Sequence, residues 1–136
     1  MRVLVCGGRM FDKPKVIGRA LAAIHVQTPI TLVITGGANG ADRLGGDWAE
    51  NNRIPLCVFP ANWRFEGKAA GPKRNGRMLQ FAKPDLVVAF EGGPGTDNMV
   101  AQAEAAGVPV LLLEAESQPG YHSTGRSAAM FMESYG

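Results

Sequence analysis

Thr31-Leu32-Val33-Ile34-Thr35-Gly36-Gly37-Ala38-Asn39-Gly40-Ala41-Asp42 is the stretch that decides the fold. An apolar, mostly β-branched run reads as a strand over Thr31 to Thr35, Gly36-Gly37 ends it, and a helix follows from about Gly40 to Asn51 with Leu44, Trp48 and Ala49 turned inward. The same pattern stands before it. Arg2 to Cys6 is a short apolar run of the kind buried on both faces of a sheet, and Gly7-Gly8 stops it. A helix then starts, with Asp12 as N-cap and Pro14 in its first turn, and Val16, Ile17, Ala20, Leu21 and Ile24 recur at helical spacing up to Thr28-Pro29. The pattern continues downstream. Leu56 to Phe59 is a third strand, Pro60 to Gly71 reads as irregular, and Pro72 opens a helix whose apolar members are Met78, Leu79 and Ala82. Asp85 to Phe90 is a fourth strand, leading into Gly92-Gly93-Pro94-Gly95-Thr96, a helix from about Asp97 to Ala106, the stop Gly107, and a fifth strand Pro109 to Leu113.

Strands alternating with helices imply right-handed crossovers and a parallel sheet covered on both faces. The expectation is one doubly wound α/β domain over residues 1–113 with a sheet of about five strands. In such a sheet the glycine clusters at 7–8, 36–40 and 92–95 fall on one rim, at the carboxyl ends of the strands, where these folds bind ligands. Residues 114–136 differ: Ser117, Pro119, Gly120, Ser123, Thr124 and Gly125 give an open loop before a short helix near Ser127 to Ser134.

A length of 136 residues suits a single core, and 46% hydrophobic with 19% charged residues can fill it. No apolar run approaches the roughly 20 residues of a membrane span, and Met1-Arg2 leads directly into Val3-Leu4-Val5 with no signal-peptide pattern. The expected location is cytoplasmic, with no membrane partner. Cys6 and Cys57 lie in strand-like runs and read as reduced core thiols. With only His25 and His122 beside them, no metal site is expected. A net charge of +2 is too mild to indicate nucleic acid. Glycine is the compositional outlier at 18 residues, nearly twice the usual share of ~7%.

The glycine loops fail the two commonest nucleotide signatures. A P-loop needs Gly-Lys-Ser/Thr after its glycine run, whereas Gly67-Lys68 is followed by Ala69. The dinucleotide pattern fails in Gly7-Gly8-Arg9-Met10-Phe11-Asp12, and strand two ends at Thr35 with no acidic residue to hold a ribose. An NAD dehydrogenase is therefore not expected and no cofactor is assigned. Gly92, Gly93, Gly95 and Thr96 instead open a helix whose free N–H groups and positive dipole end suit an anionic phosphate. Thr96 either donates its hydroxyl to that phosphate or caps its own helix. Gly36, Gly37 and Asp42 repeat the arrangement at strand two, and Gly8 and Arg9 at strand one. Between them runs a long basic segment with aromatics, from Asn62 to Asn75. In it Lys68, Arg74 and Asn75 could meet phosphate while Trp63 covers a base, or the segment is a solvated loop with Trp63 packed on the sheet edge.

Gly7-Gly8-Arg9-x-Phe11, Thr35-Gly36-Gly37-Ala38-x-Gly40-Ala41-Asp42-Arg43, Trp48-Ala49, Pro60-Ala61-x-Trp63, Gly67-Lys68-Ala69-Ala70-Gly71-Pro72-x-Arg74-Asn75 and Gly92-Gly93-x-Gly95-Thr96 together resemble the YspA-like branch of the SLOG superfamily, over about Met1 to Leu113. The resemblance implies a Rossmann-like fold that binds or senses a nucleotide or a nucleotide-derived ligand, often in phage or bacterial conflict systems. It also implies two alternatives: a phosphoribohydrolase-like N-glycosidase acting on a nucleoside monophosphate, and single-stranded DNA binding of the DprA kind. The near-neutral charge disfavours the latter. LOG-type hydrolases place an Arg four residues before a Met, as Arg74 and Met78 stand here, but their Pro-Gly-Gly-x-Gly-Thr-x-x-Glu loop has Glu91 at the proline position and Met99 at the catalytic glutamate. A thioether cannot orient water or stabilise an oxocarbenium-like sugar. Asp42, Asp97 and Glu91 are possible substitutes, although Asp42 and Asp97 equally suit helix starts. His25 and His122 are unconvincing bases, so no catalytic residue is assigned. Arg74 is expected to carry ligand charge and contribute little to stability. A homodimer is expected from Met130-Phe131-Met132 and from the dimers common among similar proteins.

Overall fold

The structure, a computed structural model, describes residues 1–114. Five strands, β1 (Arg2–Cys6), β2 (Leu32–Thr35), β3 (Leu56–Val58), β4 (Leu86–Phe90) and β5 (Val110–Leu113), form one parallel sheet in the order β3-β2-β1-β4-β5. Their residues alternate between the two faces, as the strand period of two requires. Val3, Val5, Val33 and Val88 point to one side, where α1 (Pro14–Gln27) packs Ile17, Leu21 and Ile24 and α2 (Ala41–Asn51) packs Ala49. Leu4, Cys6, Ile34, Val87 and Ala89 point to the other, against Met78 and, from α5 (Pro94–Ala105), Met99 and Ala103. This double cover explains why the strands read as continuous apolar runs. The expected Rossmann-like α/β sheet is present.

Three helix starts differ from the sequence expectation, and one short helix stands where none was expected. The N-cap of α1 is Lys13 rather than Asp12, because Pro14 has its φ fixed for a first helical position. The stretch read as irregular contains α3 (Trp63–Glu66), capped by the Asn62 side chain accepting from the Phe65 N–H at 3.3 Å, then a 3₁₀ turn Gly67–Ala69. Helix α4 (Ala70–Arg77) begins two residues before Pro72, which sits in the first turn where a missing N–H costs no helical bond. It continues as a π-helical turn over Met78–Ala82 and stops at Lys83, which is left-handed at φ 50°. Helix α5 begins at Pro94, not Asp97, with Gly93 as its N-cap.

Among the described residues no helix is long and apolar enough to cross a membrane. Cys6 and Cys57 are both free thiols. The short helix near Ser127–Ser134, His122 and Met130-Phe131-Met132 lie outside the described residues.

Candidate functional site

The chain winds from β1 outward through β2 to β3, then returns across the sheet to β4 and on to β5. Strand order therefore reverses between β1 and β4, and the loops leaving their carboxyl ends part to form a crevice. Gly8 ties three loops together there. Its N–H donates to the Glu91 carbonyl at 2.7 Å, and its own carbonyl accepts from the N–H groups of Phe11 and Ala41, both at 3.2 Å. A Cβ on Gly8 would stand 2.8 Å from the Glu91 oxygen, and one on Gly40, which has φ +80°, would overlap the Gly8 carbonyl. These two glycines are what let the loops close on one another.

The crevice opens into a cavity of about 500 Å³, within the range of small-molecule sites. Gly8 and Arg9 line it from the β1 loop, and Asp42 lines it from α2. Trp63, Lys68, Arg74 and Asn75 line it from the segment between β3 and β4. Gly93, Gly95 and Thr96 line it from the start of α5. Gly36 and Gly37 border an adjoining recess of about 290 Å³ that shares Arg9, Trp63 and Arg74 with the main cavity. Gly92 lies outside both, bordering grooves on the outer side of the β4 loop, because it packs on Thr96: a Cβ there would overlap the Thr96 Oγ1. Glu91 and Asp97 border those outer grooves as well, so of the three carboxylates weighed from sequence only Asp42 lines the main cavity.

The start of α5 is open. Asp97 donates its N–H to the Gly93 carbonyl at 3.0 Å, and Pro94 has no N–H, which leaves the Gly95 and Thr96 amides without an intrahelical acceptor. Thr96 is the third helical residue, so it does not cap the helix. A Cβ on Gly93 or Gly95 would meet nothing within 4 Å, and neither glycine has positive φ. Their lack of a side chain keeps the cavity roomy and is not demanded by packing.

Arg74 is held more firmly than the sequence suggests. Its Nη1 donates to the Gly36 carbonyl at 2.8 Å and the Phe59 carbonyl at 3.4 Å, and its Nε donates to Asn75 Oδ1 at 3.0 Å. It thus bridges the carboxyl ends of β2 and β3 to α4, a structural duty that corrects the expectation of a purely ligand-facing role. Asn75, which is buried, passes the link on by donating to the Gly95 carbonyl at 3.3 Å and to Asn98 Oδ1 at 3.1 Å. Gln102 also donates to Asn98 Oδ1, at 2.7 Å. Asn98 and Cys6 line the cavity as well; the sequence does not mark Asn98, and it marks Cys6 only as a core thiol. The signal for Asn98 was its place one turn beyond Gly95.

Burial pushes the Asp42 carboxyl up to about 6, against the opposing pull of the Ala38 and Gly36 N–H groups and of the Arg74 and Arg9 guanidiniums. Burial likewise lowers the Arg74 guanidinium, with Asp42 acting the other way. The Cys6 thiol is driven far up by burial and stays neutral. At the mouth, Arg9 lies over the half-exposed Trp63 ring at 5.5 Å, a cation–π contact that keeps an aromatic face and a guanidinium together. Met99, at the position of the LOG glutamate, is buried in the core and touches the cavity with its side of α5.

A doubly wound parallel sheet with a loop-built cavity at its reversal point defines a Rossmann-like α/β domain. Residues 1–65 match the family described as YspA, cpYpsA-related SLOG, and the chain belongs to that family. The Gene 61 protein of Mycobacterium phage D29 is 35% identical over an alignment of 118 residues covering 81% of this chain and 94% of that protein. Glycinamide ribonucleotide transformylase 1 from Geobacillus kaustophilus aligns at 18% identity and TM-score 0.49, over 99% of this chain and 68% of that one. The Symbiobacterium toebii protein of the same name aligns at 15% and 0.47, over 100% and 60%.

Proposed function

We propose that the chain binds a nucleotide or nucleotide-derived ligand in the cavity at the carboxyl edge of the sheet, with the Gly95 and Thr96 amides receiving its phosphate. The observation that carries this reading is unbalanced positive charge. Arg9, Lys68 and Arg74 line the cavity, none forms a salt bridge among the described residues, and Asp42, which acts on Arg74 and Arg9 without a direct ion pair, is the one acid lining it. Three cations and an open helix start around one cavity favour an anion, and the exposed Trp63 face favours a planar group beside it. Family membership supports the same reading. The phage relative supports a phage link.

The test is a thermal-shift screen of the full chain against nucleoside monophosphates, cyclic nucleotides, ADP-ribose derivatives and oligonucleotides. A mononucleotide-type hit that raises the melting temperature in a concentration-dependent way supports the proposal. Stabilisation by oligonucleotides alone would favour the DNA-binding alternative. The second reading, N-glycoside hydrolysis, is favoured by one observation: a cavity carboxylate, Asp42, raised to about 6, within the range of general acid–base work. Incubating any hit and assaying free base separates it from simple binding. A cytoplasmic homodimer completes the proposal, and a monomer in sedimentation velocity at high concentration would remove the dimer from it.

A further inference from the structure

Strand β2 ends at Thr35 with no acid beside it in sequence, yet the fold brings one there. Asp42 is the second residue of α2, and its side chain turns back over the loop that joins β2 to the helix. Its Oδ2 accepts from the Gly36 N–H at 3.0 Å and from the Ala38 N–H at 3.2 Å, the first and third amides after the strand. A carboxylate thus stands at the carboxyl end of β2, the place where α/β nucleotide folds hold a ribose hydroxyl.

Both hydrogen bonds fall on the same oxygen. Oδ1 accepts no hydrogen bond among the described residues, the residue is 6% exposed, and it lines the cavity. A buried carboxylate oxygen without a donor is costly, so whatever fills the cavity is selected to bring one. Phosphate cannot serve, because it repels a carboxylate at short range. The anionic part of the ligand belongs with Arg9, Lys68 and the α5 amides, and the part at Asp42 must be neutral and rich in hydrogen-bond donors. In a nucleotide the sugar hydroxyls and the base N–H groups both meet that description, and with the exposed Trp63 face suited to stack the base, the sugar falls to Asp42.

We infer that Asp42 Oδ1 accepts a hydrogen bond from a sugar hydroxyl of the bound nucleotide, so that the site selects ribose over a sugar lacking the 2′ and 3′ hydroxyls. The inference rests on the proposal that this cavity binds a nucleotide-type ligand.

Calorimetric titration of the full chain tests it, using the four ribonucleoside 5′-monophosphates, their 2′,3′-dideoxy counterparts and ribose 5-phosphate, on the unmodified protein, Asp42→Ala and Asp42→Asn. The dideoxy nucleotides should bind the unmodified protein roughly ten- to a hundredfold more weakly, the span of one hydrogen bond to a charged group. In Asp42→Ala that ratio should collapse to about twofold or less, the scatter of independent effects. Asp42→Asn keeps an oxygen for the Gly36 and Ala38 amides, so it guards against a folding defect, and its ratio should fall well below the unmodified one. A ratio that persists in both variants overturns the role of Asp42 and leaves nucleotide binding standing. No binding of any probe to the unmodified protein overturns nucleotide binding itself, and this inference with it.

Discussion

Replacing Arg74 with alanine should damage the fold and the ligand site together. The guanidinium serves three acceptors at once, the carbonyls of Gly36 and Phe59 and the Oδ1 of Asn75. Hydrogen bonds to a charged group contribute about 1.5–3 kcal/mol each when buried. Arg74 is only half-buried and the Phe59 contact is long at 3.4 Å, so water entering the cavity recovers part of the loss. A net destabilisation of about 1–3 kcal/mol follows, which for a domain of this size lowers the melting temperature by roughly 4–12 °C. Ligand affinity should fall by a further tenfold or more, because an unpaired cation leaves the cavity. Arg74→Lys separates the two effects. It keeps the charge but lacks the planar fork that reaches two strand ends, so binding should be better preserved than stability. Urea unfolding gives the first quantity and calorimetric titration the second. An Arg74→Ala protein that melts like the unmodified chain would refute the bridging role. One that also binds ligand unchanged would remove Arg74 from the site.

Asp42 makes stability pH-dependent with a definite sign. Its folded-state pKa of about 6 lies above the ordinary 3.8, so its contribution is fully present below about pH 4 and lost as pH rises through 6, a change of about 2–3 kcal/mol. Asp42→Asn should therefore be more stable than the unmodified chain at pH 7.5, with the gap closing toward pH 4 in paired urea titrations. Arg74, Arg9 and the neutral Cys6 thiol are the charged or titratable groups bearing on it. Gly95→Val should leave stability within about 0.5 kcal/mol, since its Cβ meets nothing, while filling the cavity and weakening nucleotide binding at least tenfold by calorimetry. Met99→Glu places a carboxyl in the core beside Leu4 and Cys6, so it should cost about 2–4 kcal/mol at pH 7.5 and less at pH 5, where the buried acid is protonated. An unaltered urea midpoint at pH 7.5 would show that position 99 faces the cavity more than the core.

The sheet was legible because every strand is an apolar run covered on both faces, and each βα junction carries its glycines at the carboxyl edge. The helix starts were less so. Pro60 to Gly71 reads as irregular and Pro72 as the helix opener, yet Gly71 and Pro72 lie inside the first turn of α4, where both are tolerated. Asn62 was the available signal for α3, as a residue of cap type just before the turn it caps. Gly8, Arg9, Trp63, Lys68 and the α5 start stand out in the sequence because helix starts and basic loops announce themselves locally, and the fold places them around the cavity. The partners of Arg74 and the backward turn of Asp42 were not legible. Arg74 reaches a carbonyl 38 residues away, and Asp42 folds onto amides that precede it, so neither contact leaves a spacing in the sequence.

Amide and side-chain chemical-shift mapping on the full chain, titrated with the best nucleotide from the thermal screen, tests the cavity most directly. Binding there predicts the largest shifts at the Gly95 and Thr96 amides, the Gly36 and Ala38 amides bonded to Asp42, and the Trp63 indole, all saturating at one affinity. Shifts confined to the outer grooves around Glu91 and Gly92, or none at any nucleotide concentration, would contradict it.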